Sequence, residues 1–224
     1  MVRTKKSVVA EIANGGNRRR IIDAALEMCN ALGERNVSTN HICARLAISP
    51  GNLYYHFRNK QAIIFELYLQ LEEELLGILK LPSGRQIELN DIFVYVDSLF
   101  RHVHKYRFFF RDLAWMVEST PELRQRYPEL TRRVLASGQA IYSDLDRAGI
   151  MRASAREIET LTVNSWMVLT YWLTYERIHR SDVAKADEIM QGIRQFVALF
   201  YPYLTAEAKD FTDRLMNTLW ASSP

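Results

Sequence analysis

The chain has no apolar run long enough to cross a membrane and no apolar core of a signal peptide. A transmembrane helix needs about 18 or more consecutive apolar residues, and no stretch of the 224 residues comes near that length. The polar, basic first residues also differ from a secretory leader. We therefore expect a cytoplasmic protein that does not insert into a membrane.

Cysteine is scarce, with only Cys29 and Cys43 in the chain. Both lie on apolar helix faces, which is typical of buried thiols in a reducing compartment. A redox switch is the alternative, and it is disfavoured because no exposed basic setting surrounds both thiols. The five histidines and two cysteines fit no zinc spacing. His102 and His104 lie two residues apart and cannot share one helix face, so we expect no metal and no cofactor.

Catalytic signatures are missing as well. The chain has no Gly-rich phosphate loop, no Gly-x-Ser-x-Gly elbow and no His-Glu-x-x-His pair. Any catalytic group would have to come from isolated carboxylates and histidines scattered along helices. The sequence therefore predicts a protein that is not an enzyme.

No segment shows sustained strand alternation and no internal repeat is present, whereas helical periodicity runs through almost the whole chain. A composition of 48% hydrophobic and 25% charged residues is ordinary for a soluble globular protein. We predict an all-α fold of nine or ten helices. Its parts would be a flexible basic arm at 1–16, a helix-turn-helix domain at 17–62 and a larger helical domain at 63–224. The run Glu72-Glu73-Glu74 is expected to be a solvated helix face. The first helix is expected to begin near residue 18, and Asn59 to cap the fourth. Ser154 and Glu157 are spaced as a capping box, and Gly149 suits the left-handed position after a helix end.

Residues 36–65 carry the most information about function. Ser49 can cap a short helix whose first position is Pro50, and Thr39 is a candidate cap for the helix before it. The connector Ala47-Ile48 is as short as a helix-turn-helix requires. The second short helix presents Asn52, Tyr54, Tyr55 and His56 within two turns, a density of polar and aromatic groups suited to a DNA groove.

Charge is concentrated at the same end of the chain. Residues 1–60 hold ten lysines and arginines and four acidic residues, a formal charge of +6, whereas the remainder carries −3. A basic head on a neutral or acidic body is typical of a protein that binds nucleic acid.

The segment from Arg18 to Tyr68 resembles the DNA-binding domain of the TetR family of bacterial regulators. The resemblance rests on Ile21-Ile22-Asp23-Ala24-Ala25, Gly33, Thr39, Ile42, the run Ser49 to Phe57, and Asn59-Lys60. A second segment, Tyr106 to Leu113, looks like the signature of one subgroup of that family. The resemblance implies a transcriptional regulator, more readily a repressor than an activator because occupancy alone blocks a promoter. It also implies a palindromic operator on double-stranded DNA and release by a small-molecule effector.

The resemblance implies phosphate contacts from Thr39, Tyr54, Tyr55, His56 and Lys60. Ser49, Gly51 and Asn52 stand where base edges are within reach, beside Pro50 at the helix start. Arg18 and Arg19, together with Arg3, Lys5 and Lys6 in the arm, would add phosphate or minor-groove contacts. Two alternatives stay open, namely internal packing of Tyr54 beside Phe57 and an arm that makes no contact.

Two late helices are candidates for a homodimer interface, since TetR-like proteins pair through a four-helix bundle. Core packing within one subunit is the equally weighted alternative, because a helix that is apolar on several faces must bury several faces. The interface candidates are Leu161, Ser165, Val168, Leu169, Trp172, Ile189, Gly192, Ile193, Phe196 and Phe200.

Aromatic and soft residues of the larger domain are candidates for an effector pocket. An apolar cavity with a few polar groups would favour a hydrophobic or aromatic effector, although ordinary core is the more frequent role for such residues. The pocket candidates are Tyr95, Phe100, His104, Phe109, Trp115, Tyr142, Trp166, Met167 and Tyr171.

One rival function belongs to another class of protein, a helical lipid- or small-molecule-binding module whose basic head docks on an anionic membrane. Against this alternative, the basic residues stand beside a turn that also holds Asn, Tyr and His. They do not form one amphipathic face.

Overall fold

The structure is a computed structural model that describes residues 5–179 and 185–221. Eleven α-helices fall within these ranges, together with single 3₁₀ turns at Glu34–Asn36 and Tyr201–Tyr203. The prediction of an all-α fold is therefore confirmed. The helices are α1 (Lys5–Leu32), α2 (Thr39–Leu46), α3 (Pro50–His56), α4 (Lys60–Ile78), α5 (Leu89–Lys105), α6 (Arg107–Arg111), α7 (Leu113–Ser119), α8 (Pro121–Arg147), α9 (Ala155–His179), α10 (Lys185–Phe200) and α11 (Ala206–Ala221).

Local capping interactions define the ends of α2, α3 and α4. The hydroxyl of Ser49 accepts from the backbone N–H of Asn52 at 3.2 Å, and the carboxamide oxygen of Asn59 accepts from Ala62 at 2.8 Å, as the sequence predicted. The cap of α2 was misassigned by one residue. Ser38, rather than Thr39, accepts from the backbone N–H of His41 at 3.2 Å.

The turn between α2 and α3 depends on Ala47, which adopts a left-handed conformation with φ of 53°. Its backbone N–H donates to the carbonyl oxygens of Cys43 and Ala44, so the end of α2 is satisfied within the turn. This geometry aims α3 away from α2. The two predicted thiols, Cys29 and Cys43, are both buried and unpaired, and burial raises the pKa of Cys29 to about 12.

The first helix begins at Lys5, whereas the sequence predicted a start near residue 18 after a flexible arm. Of the basic residues assigned to the arm, Arg3 lies outside the described residues, and Lys5 and Lys6 fall within the helix. Contacts from this segment to DNA stay a prediction.

The larger domain packs α5 to α10 around an aromatic core. Phe109 is its centre, with ring centroids 5.6 Å from both Tyr68 and Phe110 and 6.0 Å from Tyr127. Helix α8 continues through Pro128. At the start of α9 the Glu157 carboxylate accepts from the backbone N–H of Ser154 at 2.7 Å, which confirms the predicted capping box.

Backbone hydrogen bonds join the segment between α8 and α9 to the segment between α10 and α11. The backbone N–H of Arg152 donates to Tyr203 at 2.8 Å, and that of Thr205 donates to Ile150 at 3.1 Å. The Thr205 hydroxyl also donates to Ile150. Gly149, with a φ of 75°, adopts the left-handed conformation predicted after the end of α8.

Candidate nucleic-acid interface and ligand cavity

Helix α3 projects most of its polar and aromatic side chains into solvent. Tyr55 is 72% exposed and Tyr54 is 51% exposed, whereas Leu53 is fully buried and anchors the helix to the core. Ser49, Pro50 and Gly51 are exposed at the helix start, and Asn52 and His56 are half-buried. The exposure of Tyr54 disfavours the alternative in which it packs internally beside Phe57.

Contacts between side chains fix the positions of the residues on the exposed face of α3. The hydroxyls of Thr39 and Tyr54 are 3.3 Å apart, so a hydrogen bond joins the start of α2 to α3. The rings of Tyr55 and His56 meet edge to face with centroids 5.1 Å apart. The carboxamide oxygen of Asn52 has no hydrogen-bond partner within the described part of the chain. These residues form one continuous polar and aromatic surface.

Several of the predicted phosphate-binding cations also make contacts within the protein. The Lys60 ammonium lies 2.7 Å from the Glu34 carboxylate. The Arg18 guanidinium lies 2.8 Å from Glu66 and also stands over the ring of Phe57. Arg19 has the more exposed side chain, 3.5 Å from Asp23. Phosphate binding by Lys60 or Arg18 would therefore compete with an existing ion pair.

The larger domain contains a narrow apolar cavity of about 70 Å³ between α5, α8, α9 and α10. Three of the nine predicted pocket residues line it, namely Tyr95, Tyr142 and Trp166. Four more lining residues come from the set predicted for the dimer interface, Ser165, Leu169, Phe196 and Phe200.

The other predicted pocket residues lie elsewhere. Phe109 belongs to the aromatic core, and Phe100 packs edge to face on Phe196. His104 lies on α5 outside the cavity lining. Trp115 is partly exposed and holds the Arg35 guanidinium 4.1 Å from its ring centre. Met167 and Tyr171 are exposed on the outer face of α9 and line a separate groove between α9 and α10.

Most residues predicted for the dimer interface make their described contacts within one subunit, which favours the alternative of core packing. A Cβ atom on Gly192 would meet Phe100 at 2.3 Å and Trp172 at 2.6 Å, so this glycine allows close packing inside the subunit. The Trp172 indole N–H donates to the Glu188 carbonyl at 2.9 Å. Val168 and Ile189 are partly buried against the core. The fully buried members are Leu161, Ser165, Leu169, Ile193, Phe196 and Phe200.

The hydroxyl groups at the cavity already have hydrogen-bond partners. The hydroxyls of Tyr142 and Ser165 are 2.7 Å apart, and burial raises the pKa of Tyr142 above its ordinary value. The Tyr95 hydroxyl donates to the Lys80 carbonyl at 2.8 Å, just beyond α4. Leu79 at the end of α4 lines the cavity too, and sequence periodicity did not indicate this role.

Helix α4 is also fixed to α8 and α5 by ion pairs. Glu72 is only 6% exposed, which corrects its assignment to a solvated face. Its carboxylate lies 2.7 Å from Arg126 and 3.3 Å from Arg133 on α8. Glu74 lies 2.7 Å from Lys105 and 3.4 Å from buried His102 on α5.

The part of the chain that the structure describes contains no group of three or more His, Cys, Asp and Glu side chains placed to hold a metal ion. None of the helices in these ranges is long and apolar enough to span a bilayer.

Curated regulators match a short part of the chain. UidR of Escherichia coli K12, an HTH-type transcriptional regulator, is 42% identical over 65 residues, which are 29% of this chain and 33% of UidR. The class D tetracycline repressor protein of Escherichia coli is 36% identical over 55 residues, 25% of each chain. The chain thus aligns with a third or less of the length of these curated relatives.

A solved structure matches nearly the whole chain. A TetR-family transcriptional regulator from Marinobacter aquaeolei VT8 is 41% identical with a TM-score of 0.82, covering 90% of this chain and 97% of the other. The family model described as bacterial regulatory proteins, tetR family, matches residues 21–67. A second, described as a bacterial transcriptional repressor, matches residues 70–211. This chain therefore belongs to the TetR family and is a DNA-binding regulator of transcription.

Proposed function

We propose that the protein is a repressor that binds a palindromic operator as a homodimer and leaves it when a hydrophobic small molecule occupies the cavity of the larger domain. The observation that carries the DNA-binding part is the outward surface of α3, a short helix capped by Ser49 and anchored by buried Leu53. Blocking a promoter requires only occupancy, which favours repression.

Base reading is assigned to the start of α3. Ser49, Gly51 and Asn52 stand at the end that enters a major groove first, and Asn is suited to bidentate pairing with adenine. Tyr54 and Tyr55 flank this end with exposed hydroxyls that suit phosphate oxygens. Phosphate contacts then orient the helix, and base contacts select the sequence.

A dimer would form through the outer face of α9. Val163, Met167, Tyr171, Tyr175 and Ile178 are all exposed large apolar or aromatic residues spaced three or four apart, so they form one stripe along the helix. A continuous apolar stripe of this kind marks an interaction surface. Two-fold pairing would place the two α3 helices about one DNA turn, roughly 34 Å, apart.

The chemistry of the cavity favours an uncharged effector. Its lining is almost wholly apolar, and its hydroxyl groups at Tyr95, Tyr142 and Ser165 already have partners. A charged ligand would lose its hydration without gaining a counter-ion there. UidR and the tetracycline repressor align with this chain over only 65 and 55 residues, so their effectors carry no weight for this cavity.

Helix α4 would carry the signal from cavity to DNA. Its N-terminal cap is Asn59, and it ends beside Leu79, which lies in the cavity wall. A ligand that displaces Leu79 or Tyr95 would shift α4 and change the distance between the DNA-binding domains of the two subunits. DNA binding is switched if the operator binds one spacing of the two DNA-binding domains more tightly than the other.

Selection of bound sequences from a random double-stranded DNA pool at physiological salt tests the proposal. A palindromic motif with half-sites about one turn apart is the expected result. Recovery of no motif, with adhesion that falls steeply with salt and extends to anionic vesicles, would favour the membrane-docking alternative. Neutral vesicles and a Tyr55→Ala variant provide the matched controls.

A further inference from the structure

Glu176 on α9 is buried, and one oxygen of its carboxyl group has no partner among the described residues. It is 3% exposed, and its Oε1 atom has no hydrogen-bond donor within the part of the chain that the structure describes. Glu72 is buried to a similar degree, but two arginines bind it. A buried carboxylate that lacks such partners is costly, because it has lost water without gaining a donor.

The surroundings of Glu176 indicate where a donor would enter. Glu176 lines a groove of about 450 Å³ between α9 and α10. The walls are aromatic on the α9 side and carry carboxamides on the α10 side. The residues that give the groove this character are Tyr171, Trp172, Tyr175, Gln191 and Gln195.

A second copy of the chain has the surface that this groove requires. The groove continues into the exposed α9 stripe proposed above as the dimer face, and Met167, Tyr171 and Tyr175 belong to both. A second copy would bring apolar side chains to cover the aromatic wall. It would also bring neutral donors, since the groove itself carries phenol and carboxamide groups that a two-fold axis presents to the opposite subunit.

We propose that a phenol or carboxamide donor from the second copy enters this groove and hydrogen-bonds to Glu176, so that the buried carboxylate determines the register in which two copies pair. The inference rests on the proposed dimer. Two-fold symmetry makes the contact twice per dimer. One buried polar residue in an apolar interface selects a single pairing, because every shifted pairing leaves the polar group without a partner.

The inference is tested by measuring the dissociation constant of the Glu176→Leu dimer by sedimentation velocity. Whether this constant rises or falls relative to the wild type decides the outcome. If a donor from the second copy binds Glu176, the leucine leaves that donor buried and unpaired, and the dimer weakens about tenfold or more. If Glu176 has no partner in the dimer, the leucine removes an isolated buried charge. The dimer is then as tight or tighter, and the inference is overturned.

Two further variants keep the experiment decisive. Glu73→Leu changes an exposed glutamate on α4, outside the proposed dimer face, and is expected to leave the dissociation constant unchanged. If Glu176→Leu does not fold, Glu176→Gln retains the shape and one acceptor oxygen, and a smaller loss of the same sign is expected. A tighter dimer from Glu176→Gln overturns the inference.

A double-mutant cycle identifies the donor. Tyr171→Phe and Gln191→Leu are each combined with Glu176→Leu, and the donating residue is the one whose loss costs little once Glu176 is gone. Additive losses for both of them, and for the corresponding Tyr175 and Gln195 variants, contradict a donor from this groove.

Failure of the inference is distinguishable from failure of the proposed dimer. A wild-type protein that stays monomeric on its operator refutes the dimer and the inference together. A wild-type dimer that Glu176→Leu leaves unchanged refutes the inference alone. Saturable binding of tetraphenylphosphonium by a monomeric wild type, lost in Glu176→Gln, would assign the groove to an organic cation instead.

Discussion

The hydroxyl of Tyr95 donates a hydrogen bond to the carbonyl oxygen of Lys80 at 2.8 Å. Tyr95 lines the cavity, and Lys80 follows directly after the end of α4, so this one bond joins the cavity wall to the helix that begins at the DNA-binding head. Leu79 lines the cavity beside it. A molecule that enlarges the cavity at this wall would displace the tyrosine or the end of α4.

Tyr95→Phe is expected to weaken operator binding by the ligand-free protein about threefold to tenfold, because the net value of one such hydrogen bond is about 1 kcal/mol. The ring still lines the cavity, but the end of α4 is no longer held to α5. Fluorescence anisotropy titration with the selected operator measures the change. Tyr201→Phe, which removes the hydrogen bond to Asp213 after α10, is the matched control. Equal losses in both variants would contradict a specific role for Tyr95.

Tyr55→Ala is expected to lower operator affinity about tenfold or more, in the range of one good contact to DNA. The side chain is 72% exposed, so its removal should leave the thermal midpoint of unfolding nearly unchanged. Val94→Ala, an exposed apolar residue on α5, serves as control. Unchanged operator affinity in Tyr55→Ala would refute the assignment of this surface to DNA.

Met167→Asp is expected to convert the dimer into a folded monomer, because it places a charge in the exposed α9 stripe. Trp172→Asp should instead destabilise the subunit, since Trp172 packs against Gly192 and donates to Glu188. Sedimentation velocity reports the dimer and thermal unfolding reports the subunit. A dimeric Met167→Asp protein would move the interface to another surface.

We expect the free energy of unfolding to decrease at acidic pH, because His102 is protonated more readily in the unfolded chain than in the folded protein. Burial lowers the pKa of His102 from 6.5 to about 4, although the neighbouring Glu74 carboxylate partly opposes this shift. The unfolded chain therefore binds more protons than the folded protein between those values. Stability is fully present above about pH 6.5 and declines as the pH falls toward 4.

His102→Gln is expected to reduce this slope, measured as the free energy of unfolding in urea at a series of pH values. The groups that face His102 are Glu74, Lys105 and Tyr106. Burial opposes the shift, but Lys105 and the Tyr106 hydroxyl lower the pKa of Glu74 below its ordinary value of 4.5. The stability that Glu74 contributes is therefore lost as the pH falls through about 4.5 and below, which overlaps only the acidic end of the range in which His102 acts. A slope between pH 4 and 6.5 that is the same in both proteins would contradict the assignment to His102.

Features that depend on neighbours in the chain were predictable. The caps at Ser49 and Asn59 and the capping box at Ser154 involve groups at most three residues apart, so their chemistry is visible in the sequence. The error at α2 has the same local character. Ser38 and Thr39 both carry a hydroxyl, and only the backbone shows that Ser38 takes the extended conformation of a cap.

Burial of adjacent glutamates was not predictable. Glu72 and Glu73 are neighbours with the same side chain, yet Glu72 is buried and Glu73 is exposed. The difference arises from Arg126 and Arg133, which lie more than fifty residues further along the chain. Nothing within α4 itself distinguishes the two carboxylates.

The sequence by itself determined the helical fold, the short capped helix proposed to read DNA and the family to which the chain belongs, because each depends on local periodicity, capping and motif. Tertiary structure alone decided how α9 is used. This helix is apolar on two faces, and periodicity identifies which residues share a face without identifying what each face contacts. Packing against α5, α8 and α10 turns Ser165 and Leu169 into the cavity and leaves Met167 and Tyr171 on the outer surface.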